Sequence, residues 1–396
     1  MTNTGANSDR INVDKVPSEI LCDVLSKGEP TNSYSLKRAS VPFLFELQKK
    51  ARELGFDDLS LTPVGEARTF DIFAERVRQG GCDGLSYLTS NVEARRSPLS
   101  VLSDAETLIV VALSEKKIYE ESRDLISSIY EDSALVEQSV PSGTVVGYAT
   151  CLDYHDVLKR RLKRLGAFIC ERWSQASVRS AVDTAPLLEK DWATSTGLGF
   201  CGLHSLVIHR RLGTRFFLGE LLVSVPFSEI TGVATLEESI DKLELSRCNE
   251  DSQVFDAESS FQKCLSCRLC LEACPTGAIL GDRTLDARRC LNYWTIENRE
   301  DIPSDIARSL DGRLFGCDLC QQVCPHNSGV FHAPKRNVAL DAIESLDEET
   351  FRRLFKKTPV FRATLKGLQR TSRTLRKNWK EESSAQQRFP DSNEDK

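Results

Sequence analysis

Eight of the chain's 14 cysteines lie between residues 264 and 324. They form the pattern Cys264-x-x-Cys267-x-x-Cys270-x-x-x-Cys274-Pro275, then Cys290, then Cys317-x-x-Cys320-x-x-x-Cys324-Pro325. Thiolates are soft ligands that suit iron–sulfur chemistry, and a [4Fe–4S] cluster needs four of them. The number and the spacing therefore predict two [4Fe–4S] clusters that transfer electrons.

The predicted ligands divide as in bacterial-type ferredoxins, where three cysteines of a run bind one cluster and the fourth binds the other. We assign the first cluster to Cys264, Cys267, Cys270 and Cys324, and the second to Cys274, Cys290, Cys317 and Cys320. Two zinc sites are the main alternative, because paired C-x-x-C motifs also bind zinc. Zinc does not explain the third closely spaced cysteine or the Cys-Pro endings.

The composition, with 40% hydrophobic and 28% charged residues, is that of an ordinary globular protein. No apolar run approaches the roughly 18 residues that span a membrane, and residues 1–30 lack the apolar core of a signal peptide. We therefore expect a cytoplasmic protein with no membrane partner and reduced thiols. The six other cysteines are expected to be small buried residues: Cys22, Cys82, Cys151, Cys170, Cys201 and Cys248.

Apolar periodicity predicts an α/β domain over residues 39–226. A helix through Leu44 and Leu54 ends at Gly55, and the runs 107–113 and 216–225 are apolar enough for strands. A short strand at Ser180 leads past Asp183 into a helix with Pro186 in its first turn, which Gly197 ends. Gly197, Gly199 and Gly202 have dinucleotide-motif spacing, but a helix precedes them and a strand follows, so we reject that function.

Two stretches are strongly basic. A helix that begins near Asp153 carries five cations between residues 159 and 164, and residues 351–380 contain eleven Lys or Arg and no Asp or Glu. Each stretch is either a solvated helix face or a surface for RNA phosphates. Both interpretations stay open. The remaining segments are predicted to be a flexible extension (1–38), a loop or irregular helix (114–143), an acidic connection (227–260) and a frayed tail (381–396).

Two clusters alone would require only a small ferredoxin-like domain, yet about two hundred residues of α/β sequence precede them. That sequence implies a second cofactor or substrate site. It contains several blocks that resemble the epoxyqueuosine reductases, which are cobalamin and iron–sulfur enzymes that complete queuosine in tRNA. The resemblance spans residues 44–378 and rests on these blocks: Leu54-Gly55-Phe56, Tyr87-Leu88 with Asn91, Arg95 and Pro98, Asp153-Tyr154-His155, Val182–Pro186, Gly197-Leu198-Gly199, Gly202-x-His204-Ser205-Leu206, Phe216–Glu220, Asp286–Cys290, Thr295-Ile296-Glu297 and Gly316–Pro325.

The resemblance implies an α+β protein. An N-terminal α/β domain, a nitroreductase-like sheet flanked by helices, would bind base-off cobalamin over residues 39–226. A ferredoxin-like domain with the two clusters would follow at 261–335, and a short basic helical segment at 336–380. Arg95, Asp183, His204 and Ser205 would contact the cobalamin, and Asp183 would also be the proton donor. Loss of an epoxide oxygen as water needs a proton, which a carboxyl group with a raised pKa can supply; the alternative use of Asp183 is as a helix cap.

The implied partners are tRNA carrying epoxyqueuosine and a low-potential electron donor such as ferredoxin or flavodoxin; we expect a monomer. The chain departs from the family between Gly147 and Leu152, at Leu203 where the family has Lys, at His326 where Trp is common, and in its short C-terminus. Two other functions stay open. One is a reductive dehalogenase-like corrinoid enzyme that acts on a small molecule, and the other is a non-enzymatic electron-transfer or corrinoid-reactivating protein. The basic stretches favour RNA.

Overall fold

The computed structural model of the chain describes residues 43–132, 135, 141–235, 238 and 257–388. The predicted extension at 1–38 lies outside this range, as do Cys22 and Cys248. The helices are α1 (Phe43–Glu53), α2 (Phe70–Arg78), α3 (Ser86–Thr89), α4 (Glu115–Glu121), α5 (Arg123–Tyr130), α6 (Tyr154–Arg172), α7 (Glu189–Ser195), α8 (Phe227–Thr231), α9 (Ala257–Cys267), α10 (Leu269–Glu272), α11 (Ser304–Arg308), α12 (Leu319–Gln322), α13 (Leu340–Ser345), α14 (Glu348–Phe355) and α15 (Thr364–Arg388). The strands are β1 (Asp58–Pro63), β2 (Thr107–Ser114), β3 (Ser142–Val145), β4 (Val178–Ala181), β5 (Gly199–Cys201), β6 (Val207–His209), β7 (Phe216–Val223), β8 (Arg313–Phe315) and β9 (Arg336–Ala339).

The main sheet has the strand order β1-β2-β7-β4, and all of its neighbouring strands are antiparallel. All eight residues of β2 are buried, which confirms the buried strand predicted from its β-branched apolar sequence. The register sets Leu61 opposite Ile109 and Val111 opposite Gly219. The chain is therefore a mixed α+β protein, as expected, with an antiparallel main sheet.

Helix α6 packs on this sheet. Leu158, Leu162, Leu165 and Ile169 are fully buried, as their three- and four-residue spacing predicts. Gly219 on β7 lets the helix come close, because a Cβ at this position would lie 3.1 Å from Leu162. The N-terminus of α6, where the residues of the candidate site begin, is thus held against the sheet.

One of the five cations predicted on the surface of α6 is buried. The Arg161 side chain is 8% exposed; it donates to the Gly55 carbonyl at 3.0 Å and pairs with Glu121. The basic face of this helix is therefore smaller than the sequence suggested, and Arg161 joins α1 and α4 to α6. The segment 114–143, which supplies Glu121, begins with two helices, α4 and α5.

We expect Arg161→Met to lower the free energy of unfolding by about 1.5–3 kcal/mol, because it removes the buried hydrogen bonds of a charged guanidinium to Glu121 and the Gly55 carbonyl; Arg160 and Lys117 remain as weaker, more exposed partners of these groups. Urea unfolding followed by circular dichroism measures the change. Lys163→Met is the matched control, since Lys163 is exposed on the same helix, and its effect is expected to stay within about 0.5 kcal/mol. Equal effects of the two changes would contradict the structural role of Arg161.

A second sheet joins distant parts of the chain. Strand β3 pairs in parallel with β8 and antiparallel with β9, so segments from the N-terminal half, the cluster region and the C-terminal segment share one sheet. Leu314 and Phe315 on β8 are fully buried, and β8 ends two residues before Cys317. The main chain that carries the second set of cysteines is therefore anchored on the N-terminal half.

The C-terminal basic stretch is mostly a packed helical unit. Phe351 and Phe355 are 1% exposed in a hydrophobic cluster, so these rings are not available to stack on nucleic-acid bases. Arg370 donates to the main-chain carbonyls of Asn298 and Glu300. Helix α15 continues to Arg388, past the predicted start of the tail at 381, and residues 389–396 lie outside the described range. The packed-helix interpretation holds for Phe351 and Phe355, while Trp379 and many cations remain on the surface.

Candidate functional site

A histidine bridges two carboxylates at the N-terminus of α6. Asp153 caps this helix, with its carboxylate accepting the His155 main-chain N–H at 3.0 Å. The same carboxylate lies 2.7 Å from His155 Nδ1, and the Asp183 carboxylate lies 3.0 Å from Nε2. Because each ring nitrogen faces a carboxylate oxygen, both carry a proton in the favourable state. The result is an imidazolium held between two anions.

These contacts shift the pKa values of all three groups. Burial alone would lower the pKa of His155, but hydrogen bonds and charge from Asp153 and Asp183 raise it to about 9. Burial opposes ionisation of Asp183, yet His155, together with Arg362 and the Tyr154 hydroxyl, holds its pKa below the ordinary value. The raised carboxyl pKa predicted for Asp183 is therefore wrong for this arrangement. The available proton is on His155.

Asp183 lies in the loop between β4 and α7. Its side chain is 55% exposed, whereas that of His155 is 23% exposed, so the carboxylate lies between the imidazole and open solvent. Helix α7 begins after Leu188, and Asp183 does not cap it. The alternative use of this residue as a helix cap is therefore not observed, and Asp183 is free to act toward a bound molecule.

Aromatic and basic side chains surround this pair. The Tyr154 ring stacks on Phe217, with ring centroids 4.3 Å apart. Arg362, which pairs with Glu297 at 2.8 Å, lies 5.9 Å over the ring of Tyr87. The charge of Arg362 acts on Asp183, and the charge of Asp183 acts in turn on the Tyr87 hydroxyl. Residues that are far apart in sequence thus form one rim around an exposed carboxylate.

Arg95 lies behind this rim. Its guanidinium is buried and donates to the Tyr87 carbonyl at 2.7 Å. In this position it supports the main chain of Tyr87. The predicted contact of Arg95 with a cofactor stays a prediction.

The Gly-rich segment forms a hairpin of β5 and β6 with His204 and Ser205 at its tip. His204 is buried, and its Nδ1 accepts the Leu206 N–H at 3.2 Å. Burial lowers its pKa to about 4, so the ring is neutral and Nε2 carries the proton. Within the described part of the chain this Nε2–H has no hydrogen-bond partner. Lys190 on α7 donates to Ser205 Oγ at 3.4 Å and brings a cation to this tip.

The eight predicted cluster ligands form two groups. After burial, the thiols of Cys264, Cys324 and Cys267 are the main causes that raise the pKa of Cys270, to about 11. The pKa of the Cys320 thiol is likewise raised by burial and then by the charges of Cys317, Cys290 and Cys274, and also by Cys270 of the other group. Each set of four assigned from the sequence is thus brought together, and the two sets adjoin. Four thiols that repel one another's charge fit a cationic cluster that stabilises all four thiolates.

Main-chain N–H groups also point at these sulfur atoms. Leu203 N–H lies 3.5 Å from Cys264 Sγ, and Ala278 N–H lies 3.3 Å from Cys274 Sγ. Such hydrogen bonds to sulfur tune a cluster's reduction potential. The hairpin tip that carries His204 therefore also contacts the first set of cysteines.

Two family models match the chain. The 4Fe-4S double cluster binding domain matches residues 263–327, and the model described as epoxyqueuosine reductase QueG, DUF1730, matches residues 95–184. The chain is 30% identical over 338 residues to an epoxyqueuosine reductase of Leadbetterella byssophila, covering 82% of this chain and 95% of the relative. The chain belongs to the epoxyqueuosine reductase family. Its double-cluster domain carries two [4Fe–4S] clusters.

The chain is also similar to other members of the epoxyqueuosine reductase family. The chain is 31% identical over 305 residues to the Pseudomonas aeruginosa enzyme, covering 77% of this chain and 73% of that one. The solved structure of epoxyqueuosine reductase from Streptococcus thermophilus matches with a TM-score of 0.63 and 25% identity, over 89% of this chain and 86% of that one. Another matching fold, with a TM-score of 0.65 and 23% identity, is an epoxyqueuosine reductase with an epoxyqueuosine-modified tRNA stem loop; it covers 86% of this chain and 82% of that chain.

The structure gives a reason for one departure from the epoxyqueuosine reductase pattern. Leu203, where a Lys was expected, is 1% exposed and packs with Cys270 and Ile279. It forms part of the apolar cover over the cluster cysteines, where a cation would be costly to bury. Lys190 supplies a cation at the same hairpin instead.

Sequence analysis missed the carboxyl groups next to Asp183. Glu220 was noted only as part of a family block, although a charged residue inside an apolar strand is itself a signal. Glu189 gave no signal, because a glutamate in the first turn of a helix is common. Arg362 is far from Asp183 in sequence, and only the fold brings them together.

The contacts of His155 with Asp153 and Asp183 predict that the stability of the protein depends on pH. A folded-state pKa of about 9, above the ordinary value of about 6.5, contributes stability that is complete below pH ~6.5 and is lost as the pH rises through 9. We expect His155→Gln to remove this fall in the free energy of unfolding, measured by urea titrations at several pH values. The exposed His332 provides a control, since His332→Gln should keep the wild-type fall. A fall of wild-type size in His155→Gln would mean that another group titrates.

Proposed function

We propose that this chain reduces epoxyqueuosine to queuosine in tRNA, the last step of queuosine biosynthesis. Family membership supports the reaction, and the observation that carries the proposal is the protonated His155 held against the exposed Asp183 carboxylate. Removal of an epoxide oxygen as water consumes two electrons and two protons and leaves a carbon–carbon double bond. The chain therefore needs an electron source and a proton donor that face the same substrate.

Asp183 and His155 provide the proton donor. Asp183 is the group that reaches solvent, and His155 holds a proton 3.0 Å behind it. As the epoxide oxygen gains negative charge, Asp183 passes it one proton taken from His155, and Asp153 holds the imidazole in position for the transfer. The second proton of the departing water comes from solvent at the exposed Asp183 carboxylate. Proton donation in this way contributes about 10²–10⁴-fold to the rate.

We propose cobalamin as the second cofactor. It fits the hairpin tip, where the buried His204 Nε2–H lacks an acceptor among the described residues. Ser205 offers a hydroxyl there, and Lys190 a cation, for the amide and phosphate groups of a corrinoid. When bound, cobalamin supplies a strongly reducing cobalt. The tip also touches Cys264, so a ligand there lies beside the first cluster. Arg95 would act through Tyr87.

Exposed cations support tRNA as the substrate. Arg362 extends from the rim of the site with a side chain that is 52% exposed. A second cationic surface is a cleft of about 430 Å³ between α11 and α15, whose lining includes Arg308, Arg370, Arg373 and Lys377 together with two carboxylates, Asp301 and Glu381. Contacts of this kind with phosphates position RNA and weaken as salt is added.

The small-molecule corrinoid enzyme and the electron-transfer protein are not favoured, because the matching relatives are named epoxyqueuosine reductases. We further propose a low-potential donor such as ferredoxin or flavodoxin, a cytoplasmic location and a monomer. In the described part of the chain no helix is long and apolar enough to cross a membrane.

Mass spectrometry of tRNA nucleosides tests the proposal. A strain that lacks this chain should accumulate epoxyqueuosine and lose queuosine, and the wild-type chain should restore it. The purified, cluster-loaded protein with cobalamin and a chemical reductant should convert epoxyqueuosine in tRNA to queuosine. Unchanged queuosine in the deletion strain would refute the function.

A further inference from the structure

A side chain from α7 holds the main chain of Asp183. The φ angle of Asp183 is +53°, in the left-handed region, which aspartate adopts more readily than most residues but which still needs support. Its N–H donates to the carboxylate of Glu189, six residues farther along the chain. This hydrogen bond belongs to no helix or strand. Thr184 also donates to the Val182 carbonyl across this turn, and Glu189 is the side chain that accepts the Asp183 N–H itself.

A second carboxyl group lies behind Glu189. Glu220 is fully buried on β7, where it pairs in register with Ala181, the last residue of β4. Glu220 is thus directly beneath the start of the Asp183 loop. In the described part of the chain its two oxygens have no hydrogen-bond partner of regular geometry. Burial and the Glu189 carboxyl raise the pKa of Glu220 well above its ordinary value. Burial and the charge of Asp183 raise the pKa of Glu189 to about 7, so the pair holds at most one negative charge and Glu189 is the more readily ionised member.

We infer that Glu189 is a positioning residue: its carboxylate, backed by Glu220, holds the Asp183 main chain in the left-handed conformation that aims the Asp183 carboxylate at His155. This inference rests on the proposed function. The groups that face this arrangement are His155 and Tyr154 from α6, Glu220 from β7 and Arg362 from the C-terminal segment. Without the acceptor, the loop is free to leave the strained conformation, and the 3.0 Å contact with His155 is lost.

Two substitutions in the cluster-loaded protein test the role of Glu189. Glu189→Ala removes the acceptor and should lower kcat for epoxyqueuosine-containing tRNA roughly ten- to a hundredfold, the value of one hydrogen bond to a charged group. KM should change little, because Glu189 does not contact the substrate. Glu189→Gln keeps a carbonyl acceptor at the same place and should rescue most of kcat.

The pKa of His155 provides a readout that is independent of turnover. NMR of protein with isotope-labelled histidine follows the five imidazoles, and His155→Gln assigns the signal. The value should be about 9 in wild type, fall toward the ordinary value in Glu189→Ala, and stay near wild type in Glu189→Gln. If Glu189→Ala does not keep its clusters, Glu189→Asp, which withdraws the acceptor by one methylene, should show the same fall in a folded protein.

An unchanged His155 pKa and kcat in Glu189→Ala would overturn the inference, as would a Glu189→Gln variant that behaves like Glu189→Ala. Failure of the proposed function is distinguishable from these results. A wild-type protein that does not reduce epoxyqueuosine in tRNA refutes the function, while the His155 titration still decides whether Glu189 positions Asp183.

Discussion

Replacing Asp183 with asparagine is expected to lower the turnover of epoxyqueuosine-containing tRNA by about 10²–10⁴-fold, the usual contribution of a positioned proton donor. Asparagine tolerates the left-handed conformation and fills the same space, but its amide cannot pass a proton from His155 to the substrate. Nucleoside mass spectrometry under single-turnover conditions measures the loss. Both clusters and cobalamin binding should remain.

Asp156→Asn is the matched control for this experiment. Asp156 is exposed in the first turn of α6, close in sequence to His155, and has no contact with the rim around Asp183 among the described interactions. Its activity should equal that of wild type. Full turnover in Asp183→Asn would refute the proton-donor role, whereas loss of iron in that variant would point to a structural role.

Removing one thiol from either set of four should abolish turnover and destroy one cluster. Wild-type protein purified without oxygen should contain about eight iron atoms, and Cys270→Ala or Cys320→Ala about four or fewer. Cys270 and Cys320 belong to different sets and lie near enough for the charge of one to act on the other, so each variant removes a ligand where the sets adjoin. Iron analysis and electron paramagnetic resonance of the reduced protein measure the outcome.

Cys170→Ala serves as the control for the cluster variants. Cys170 lies on α6, where its thiol donates weakly to the Ala176 carbonyl, away from both sets. This variant should keep all of its iron and its activity. A Cys270→Ala protein with eight iron atoms would contradict the assignment of that ligand, and a zinc-containing, colourless wild type would contradict the clusters.

The spacing of apolar residues predicted those helices and strands whose formation depends mainly on neighbouring residues in the sequence. The apolar face of α6 and the buried run of β2 follow from residue spacing alone, and Gly55, with a φ of +87°, ends α1 as glycine commonly does. The pairing of β3 with β8 and β9 was not predictable, because three- and four-residue strands contain too little pattern to specify a partner almost two hundred residues away. Arg161 was misplaced for a similar reason: sequence shows a cation but not the Glu121 that faces it.

In the candidate site, too, some residues were predictable from the sequence and others were not. Cysteine spacing specified both sets of four, because ligand geometry constrains short segments directly. Asp183 came from the family resemblance, and its state was wrong, because the pKa of a carboxyl group depends on neighbours such as His155 that only folding supplies. Glu220 stands out as a charge inside an apolar strand, but its pairing with Glu189 depends on the fold and was not predictable from the sequence.

The second sheet also limits how the electron-transfer part can be exchanged. In sequence, strand β8 lies between Cys290 and Cys317 of the second cluster, and it pairs with β3 from the N-terminal half. Residues 261–335 are therefore not a separate domain that can be exchanged as a unit. A chimaera with a free-standing ferredoxin in their place would remove β8 from the sheet and leave the apolar side chain of Val145 without its cover. Redesign of the electron supply must therefore change single residues around the clusters and keep the strand.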